Sequence, residues 1–241
     1  MPALVLLHAF PLDRSMWDRE IRALADVASP IIAPSFPGFG HSELPSLQPS
    51  LNDYADAVIG AMDAARIDRA AIAGLSMGGY VAFALWRRHK RRVERLALID
   101  TKAEADTPEA AQNRHRLAAT VREHGVEALL KTPPKWLRDD SPQWPAVKAI
   151  IRNQSKEAVA QASIAMAGRP DSTSDLATID VPAAVIVGEA DAITPLANAK
   201  TIHEGIERSS LSVIPDAGHL ANLEAPDAFE KALRAWLTRA A

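Results

Sequence analysis

The chain has 241 residues, 48% of them hydrophobic and 24% charged, with a net charge of −3 and no cysteine. That length suits one generous domain or a domain with an insertion, and the composition excludes a largely disordered chain. It also excludes a strong basic field for nucleic acid or anionic lipid, disulfides, and a cysteine nucleophile. No apolar run approaches the ~20 residues of a membrane-spanning helix, and Met1-Pro2-Ala3-Leu4-Val5-Leu6-Leu7-His8 lacks the basic start and small-residue cleavage site of a signal peptide. A water-soluble protein of the cytoplasm, with no membrane or nucleic-acid partner, is the expectation.

Short apolar runs alternate with longer helical patterns. Strands are predicted at Ala3–Leu7, Ile31–Ala33, Ala70–Ala73, Leu96–Ile99, Ala183–Val187 and Leu211–Ile214. All are apolar at successive positions, save Ser212 in the last, as parallel strands covered on both faces require. Helices are predicted at about Asp18–Asp26, Leu51–Arg66, Gly78–His89, Pro195–Glu207 and Pro226–Thr238. The last has Pro226 near its first position, Asp227 in its first turn, and Phe229, Leu233, Trp236 and Leu237 on one face. This alternation predicts a parallel sheet with right-handed crossovers. From Thr101 to Asp180 the rhythm stops: only helical patterns occur, broken by Pro133-Pro134, Pro142, Pro145 and Pro170. A stretch of that length is too long for a plain loop and predicts a helical insertion over one edge of the sheet. The division is therefore a core of residues 1–100 and 181–241 with a cap of 101–180.

Gly74-Leu75-Ser76-Met77-Gly78-Gly79 lies between a predicted strand and a predicted helix, the context that gives G-x-S-x-G its meaning. Such a turn lifts a serine hydroxyl above the sheet at a helix N-terminus, where negative charge is favoured. A serine needs a base, because its hydroxyl is a poor nucleophile at neutral pH. His219, in the loop after the last strand, is the histidine placed for that task. His89, His115, His124 and His203 fall in helical patterns, His41 in a turn, and His8 at the end of the first strand, where it is expected to brace the following loop. An acid must orient the base. Asp191, directly after Ala183–Val187, is favoured, with Asp100 at the end of the preceding strand and Glu189 as alternatives. His8-Ala9-Phe10-Pro11-Leu12 follows the first strand and can aim the Phe10 N–H at the serine, while Met77 supplies a second N–H for an oxyanion.

These motifs resemble the α/β-hydrolase fold family. The likeness rests on His8-Ala9-Phe10-Pro11 with Met16-Trp17, Phe36-Pro37-Gly38-Phe39-Gly40-His41-Ser42, Gly74–Gly79, Gly188–Pro195, and His219 followed by Glu224-Ala225-Pro226. It is strongest toward small bacterial carboxylesterases and enol-lactonases. It implies a catalytic triad of Ser76, Asp191 and His219, no cofactor or metal, and a pocket beneath a helical cap. Two departures stand out. Ser35 replaces the usual aspartate before Phe36-Pro37-Gly38, which should affect loop structure more than chemistry. The first strand already carries the oxyanion turn, so the family's usual N-terminal hairpin is missing and the expected sheet is six-stranded and all-parallel, with Ile31–Ala33 at a bare edge.

The expected activity is hydrolysis of carboxylic esters of short-to-medium acyl length through an acyl-enzyme. Alternatives on the same triad are a lactonase (enol-lactone or acyl-homoserine lactone), a carbon–carbon bond hydrolase, a perhydrolase, or a slow-turnover ligand-binding receptor. An aspartate nucleophile, as in dehalogenases and epoxide hydrolases of this fold, is disfavoured by Ser76. In the cap, Leu129, Trp136, Trp144, Ile164 and Met166 are candidates to line an apolar acyl pocket, as is Leu130. Of its cations, Arg114, Arg116, Arg122, Lys131, Lys135 and Arg138, one facing inward would suit a carboxylate-bearing lactone. The edge strand and the cap are each surfaces through which a homodimer could form.

Overall fold

The computed structural model describes residues 1–239. Six strands, β1 (Leu4–Leu7), β2 (Ile31–Ile32), β3 (Ala70–Leu75), β4 (Val93–Ile99), β5 (Ala183–Gly188) and β6 (Ser209–Ile214), form one sheet in the order β2-β1-β3-β4-β5-β6. Every pairing is parallel. Successive residues of β1, β3 and β5 are all buried, so both faces of the sheet are covered, which is why these strands read as unbroken apolar runs. The chain passes from β1 outward to β2 and then returns to place β3 on the other side of β1. The loops leaving β1 and β3 therefore diverge, opening the crevice in which parallel α/β sheets bind ligands.

The helices are α1 (Asp18–Ala23), α2 (Leu51–Ala64), α3 (Met77–His89), α4 (Pro108–His124), α5 (Glu127–Lys131), α6 (Trp144–Arg152), α7 (Lys156–Ala167), α8 (Leu196–Gly205), α9 (Ala221–Glu224) and α10 (Pro226–Thr238). α3 packs on β1, β3 and β4; α10 packs on β4, β5 and β6. The α10 face of Phe229, Leu233, Trp236 and Leu237 is buried, as its spacing predicts, and Phe229 stacks on Trp17. α2 opens with a capping box in which Ser50 and Asp53 each accept the other's backbone N–H.

Several boundaries differ from the sequence reading. α1 stops at Ala23 rather than Asp26, because the following residues turn to bring the chain back to β2. β4 begins at Val93, three residues early, since Arg95 is buried with its guanidinium donating to the Trp236 carbonyl at 3.2 Å. β6 begins at Ser209, with Ser209–Ser212 half-buried at the sheet's far edge.

Between β4 and β5, residues 101–180 hold α4 to α7 and no strand. α4 lies along α7, which is buried on nearly all sides. This segment is bonded to the loops that leave β1 and β2. Gln154 accepts the Gly40 N–H at 2.9 Å and donates to Asp13 at 2.8 Å, and Gln48 donates to the Gln161 carbonyl. The segment thus lies at the C-terminal end of the sheet.

Candidate active site

The turn between β3 and α3 is built by what its glycines leave out. A Cβ on Gly74 would lie 2.2 Å from the Gly78 carbonyl oxygen, and one on Gly78 would lie 2.3 Å from that of Leu7. With those atoms absent, β3 passes into α3 in one sharp step. Ser76 absorbs the change with φ +56° and ψ −111°, a conformation that non-glycine residues seldom adopt. It is held there by four bonds: its N–H donates to Ile99 O, and its carbonyl accepts from Thr101 Oγ1 and the Gly79 N–H, each at 2.9 Å, and from the Tyr80 N–H at 3.3 Å.

From this turn the Ser76 hydroxyl meets His219, whose Nε2 lies 2.8 Å from Oγ. The other ring nitrogen, Nδ1, lies 2.9 Å from Asp191 Oδ2. An ionised carboxylate only accepts, so Nδ1 carries the proton and Nε2 is free to accept the Ser76 O–H. Asp191 is fixed in turn by the N–H groups of Ile193 and Thr194 at 2.8 and 3.0 Å and by the Thr194 hydroxyl at 2.6 Å. Burial alone would raise its pKa, but the neighbouring His219 and these hydrogen bonds more than offset that and hold the carboxyl below its usual range. The loops carrying acid and base are joined backbone to backbone. Ala190 N donates to Ala217 O at 2.8 Å, and at Gly188 a Cβ would lie 2.1 Å from the Gly218 carbonyl oxygen.

The two alternative acids lie elsewhere. Asp100 is buried, but its carboxyl accepts the backbone N–H groups of Gly188 at 2.7 Å and Ala221 at 3.4 Å, and makes no bond to His219. Burial, and then the charge of Asp191, push its pKa well above the ordinary value. Glu189 is exposed at the start of its loop.

The backbone N–H groups of Phe10 and Met77 have no acceptor among the described residues. Met77 is the first residue of α3, where helical N–H groups are unpaired and favour an anion. The loop of Phe10 is braced by His8, as its position suggests. His8 Nδ1 donates to Ala9 O at 3.0 Å while Nε2 accepts the Phe36 N–H at 2.9 Å. Full burial pushes this imidazole down to about 4, so it is neutral in that role.

Ser76 and His219 open onto a cavity of about 140 Å³ lined by Phe10, Tyr80, Arg114, Leu117, Pro134, Trp136, Met166 and Ile193. Of the six residues expected to line it, Trp136 and Met166 do so, while Leu130 packs half-buried against the hydrophobic core. Leu129, Trp144 and Ile164 are not among the lining residues. Leu129 is buried in the hydrophobic core, Ile164 is half-buried on α7, and the Trp144 indole N–H is spent on the Arg138 carbonyl at 2.9 Å. Sequence reasoning missed Tyr80, Leu117, Pro134 and Ile193, though Tyr80 and Ile193 each stand close to a site residue, one turn beyond Ser76 on α3 and two residues beyond Asp191. Arg114 is the inward cation. Arg122 and Lys135 pair with Glu157 and Asp139 at the surface, and Lys131 is exposed.

A family model described as the alpha/beta hydrolase family matches residues 4–232, and the chain belongs to that family. Among its relatives, 3-oxoadipate enol-lactonase 2 of Acinetobacter baylyi is 29% identical over 246 residues, covering 99% of this chain and 89% of the relative. A pimeloyl-[acyl-carrier protein] methyl ester esterase of Neisseria meningitidis is 30% identical, covering 93% and 89%. Among solved structures, a thermophilic esterase from Thermogutta terrifontis superposes with a TM-score of 0.92 at 36% identity, covering 98% of this chain and 89% of that one. The enol-lactonase from Burkholderia xenovorans LB400 does so at 0.88 and 32%, covering 99% and 92%. The family is one of hydrolases, and the members it most resembles are small bacterial esterases and enol-lactonases.

Proposed function

We propose that this protein is a serine hydrolase that cleaves carboxylic esters with short-to-medium acyl groups. One observation carries the reading: Ser76 Oγ, His219 Nε2 and Nδ1, and Asp191 Oδ2 form a continuous line with steps of 2.8 and 2.9 Å, ending at a cavity. Ser76 Oγ attacks the ester carbonyl while His219 Nε2 takes its proton, and the Phe10 and Met77 N–H groups bind the oxyanion. His219 then returns the proton to the departing alkoxide, leaving an acyl-serine. A water deprotonated by His219 attacks that acyl group and releases the acid. The small cavity supports short acyl chains, since about 150 Å³ accommodates a molecule the size of benzene.

A lactone is a cyclic ester and passes through the same steps, its leaving alkoxide remaining tethered to the acyl group. The enol-lactonase relatives support this second reading. Ser76→Ala is expected to lower kcat for p-nitrophenyl acetate by roughly 10⁴–10⁶-fold with an unchanged circular dichroism spectrum. Retention of near wild-type turnover in that variant would refute both readings. Labelling of wild type, but not of Ser76→Ala, by a fluorophosphonate identifies the nucleophile independently of the substrate chosen.

A further inference from the structure

Four charged side chains gather beside the cavity, and they do not balance. The Asp106 carboxylate receives Arg114 Nε on one oxygen; on the other it receives Arg169 at 2.9 Å and Lys102 at 3.6 Å. Burial opposes its ionisation, yet the Arg169 and Arg114 contacts hold its pKa down to about 2, so one anion faces three cations. Asp171, within the field of Arg169, offsets part of this, and the remainder is left to solvent or to a ligand.

Arg169 is buried and committed at both terminal nitrogens, with only its Nε unpartnered. Its side chain is 3% exposed, its terminal nitrogens donate to the carbonyls of Met166 and Glu104 at 3.0 Å each, and its guanidinium lies over the Tyr80 ring at 4.1 Å. Arg114 differs. Beyond Asp106, its sole partner among the described residues is the Met166 sulfur at 3.4 Å, a weak acceptor. Its side chain is 23% exposed, and it lines the cavity with Ser76 and His219. No aspartate or glutamate stands among the described lining residues, and most of the wall is apolar: Phe10, Leu117, Pro134, Trp136, Met166 and Ile193. A guanidinium in such a wall offers a planar fork of donors matched to a carboxylate, where little water competes for it.

We propose that Arg114, anchored by Asp106, is the specificity-determining residue of this site, and that the substrate carries a free carboxylate alongside its scissile ester. The inference rests on the hydrolase reading above. Asp106 and Arg169 act as positioning residues: one clamps Arg114, and the other holds both Asp106 and the Tyr80 wall.

The test uses pairs of near-equal shape. Monomethyl succinate against methyl 4-oxopentanoate places the carboxylate on the acyl side. Acetoxyacetate against acetoxyacetone places it on the alcohol side. For at least one pair the wild-type kcat/KM ratio, carboxylate over neutral, is expected to be roughly 10–100. Arg114→Gln should bring that ratio near one, with the loss falling on KM, and Arg114→Lys should restore part of it. A wild-type ratio at or below one in both pairs, or a ratio untouched by Arg114→Gln, would overturn the proposal. Binding without turnover separates it from the hydrolase reading. Millimolar succinate should raise the Tm of Ser76→Ala protein, and should not when Arg114→Gln is added. Succinate stabilisation that needs Arg114, in a protein that hydrolyses no ester, would defeat the hydrolase reading alone. Hydrolysis of neutral and charged esters alike, with no such stabilisation, would defeat this one.

Discussion

Two buried aspartates, Asp100 directly after β4 and Asp191 in the loop after β5, lie within each other's field, and their partners divide them into different chemistries. Asp191 receives the His219 Nδ1–H and three further donors, which favours its charged form. Asp100 receives only two backbone N–H groups while feeling the Asp191 charge, which favours its neutral form. Asp191→Asn is therefore expected to reduce kcat by roughly 10³–10⁴-fold, because the imidazole loses the partner that fixes its tautomer. Asp100→Asn should change it by less than about 10-fold. A kcat series on p-nitrophenyl acetate distinguishes the two, and a reversed order would reassign the acid. Chain order alone made both residues eligible. What separates them is the path of the backbone after β5, which no local spacing encodes.

The elbow is the element on which the site depends, and its demands are steric. Gly78→Ala would press a methyl group against the Leu7 carbonyl at the end of β1 and force α3 away from the strand beneath it. A loss of roughly 2–4 kcal/mol, read from chemical denaturation, is expected. A loss below about 0.5 kcal/mol, the range of neutral surface changes, would mean that α3 shifts freely. This element was legible because its requirements are local: an apolar run, two glycines flanking a serine, and a helix. The strands were legible for the same reason, except where polar residues open them, as at Glu94-Arg95 and Ser209-Ser210. The cavity wall was not. In residues 101–180 nearly every helix has an apolar stripe, and the choice between facing the cavity and facing another helix depends on how those helices pack. Leu129 and Ile164 turned away, while Arg114, a charged residue on α4, turned in.

At the scale of the molecule, buried titratable groups set the pH range in which the fold is comfortable. Glu20 on α1 is 1% exposed, neither carboxyl oxygen has a hydrogen-bond partner, and burial pushes its pKa to about 7 from 4.5. Asn222 lies beside it and directs one of its two amide N–H groups to Met16 O at 2.9 Å. A raised folded-state pKa gives stability that is fully present below pH 4.5 and is lost as pH rises through about 7. His8 has the opposite sign: its pKa of about 4 in the fold, against 6.5, gives stability present above pH 6.5 and lost as pH falls through about 4. Glu20→Gln is expected to raise Tm at pH 8, by an amount on the order of 2–3 kcal/mol in stability, and to do little at pH 4. Equal shifts at both pH values would exclude titration of Glu20 as the cause.

The contact between Gly188 and Gly218 has a consequence for how such a protein can diversify. Acid and base ride on two loops fastened through main chain, from Ala190 N to Ala217 O, so neighbouring side chains that make no bond within the loops can be exchanged without loosening the fastening; Gly188, Gly218 and Asp191 are held to their identities by close approach or by hydrogen bonds. New substrate preferences are then free to arise in the helices overhead while the proton path beneath stays rigid.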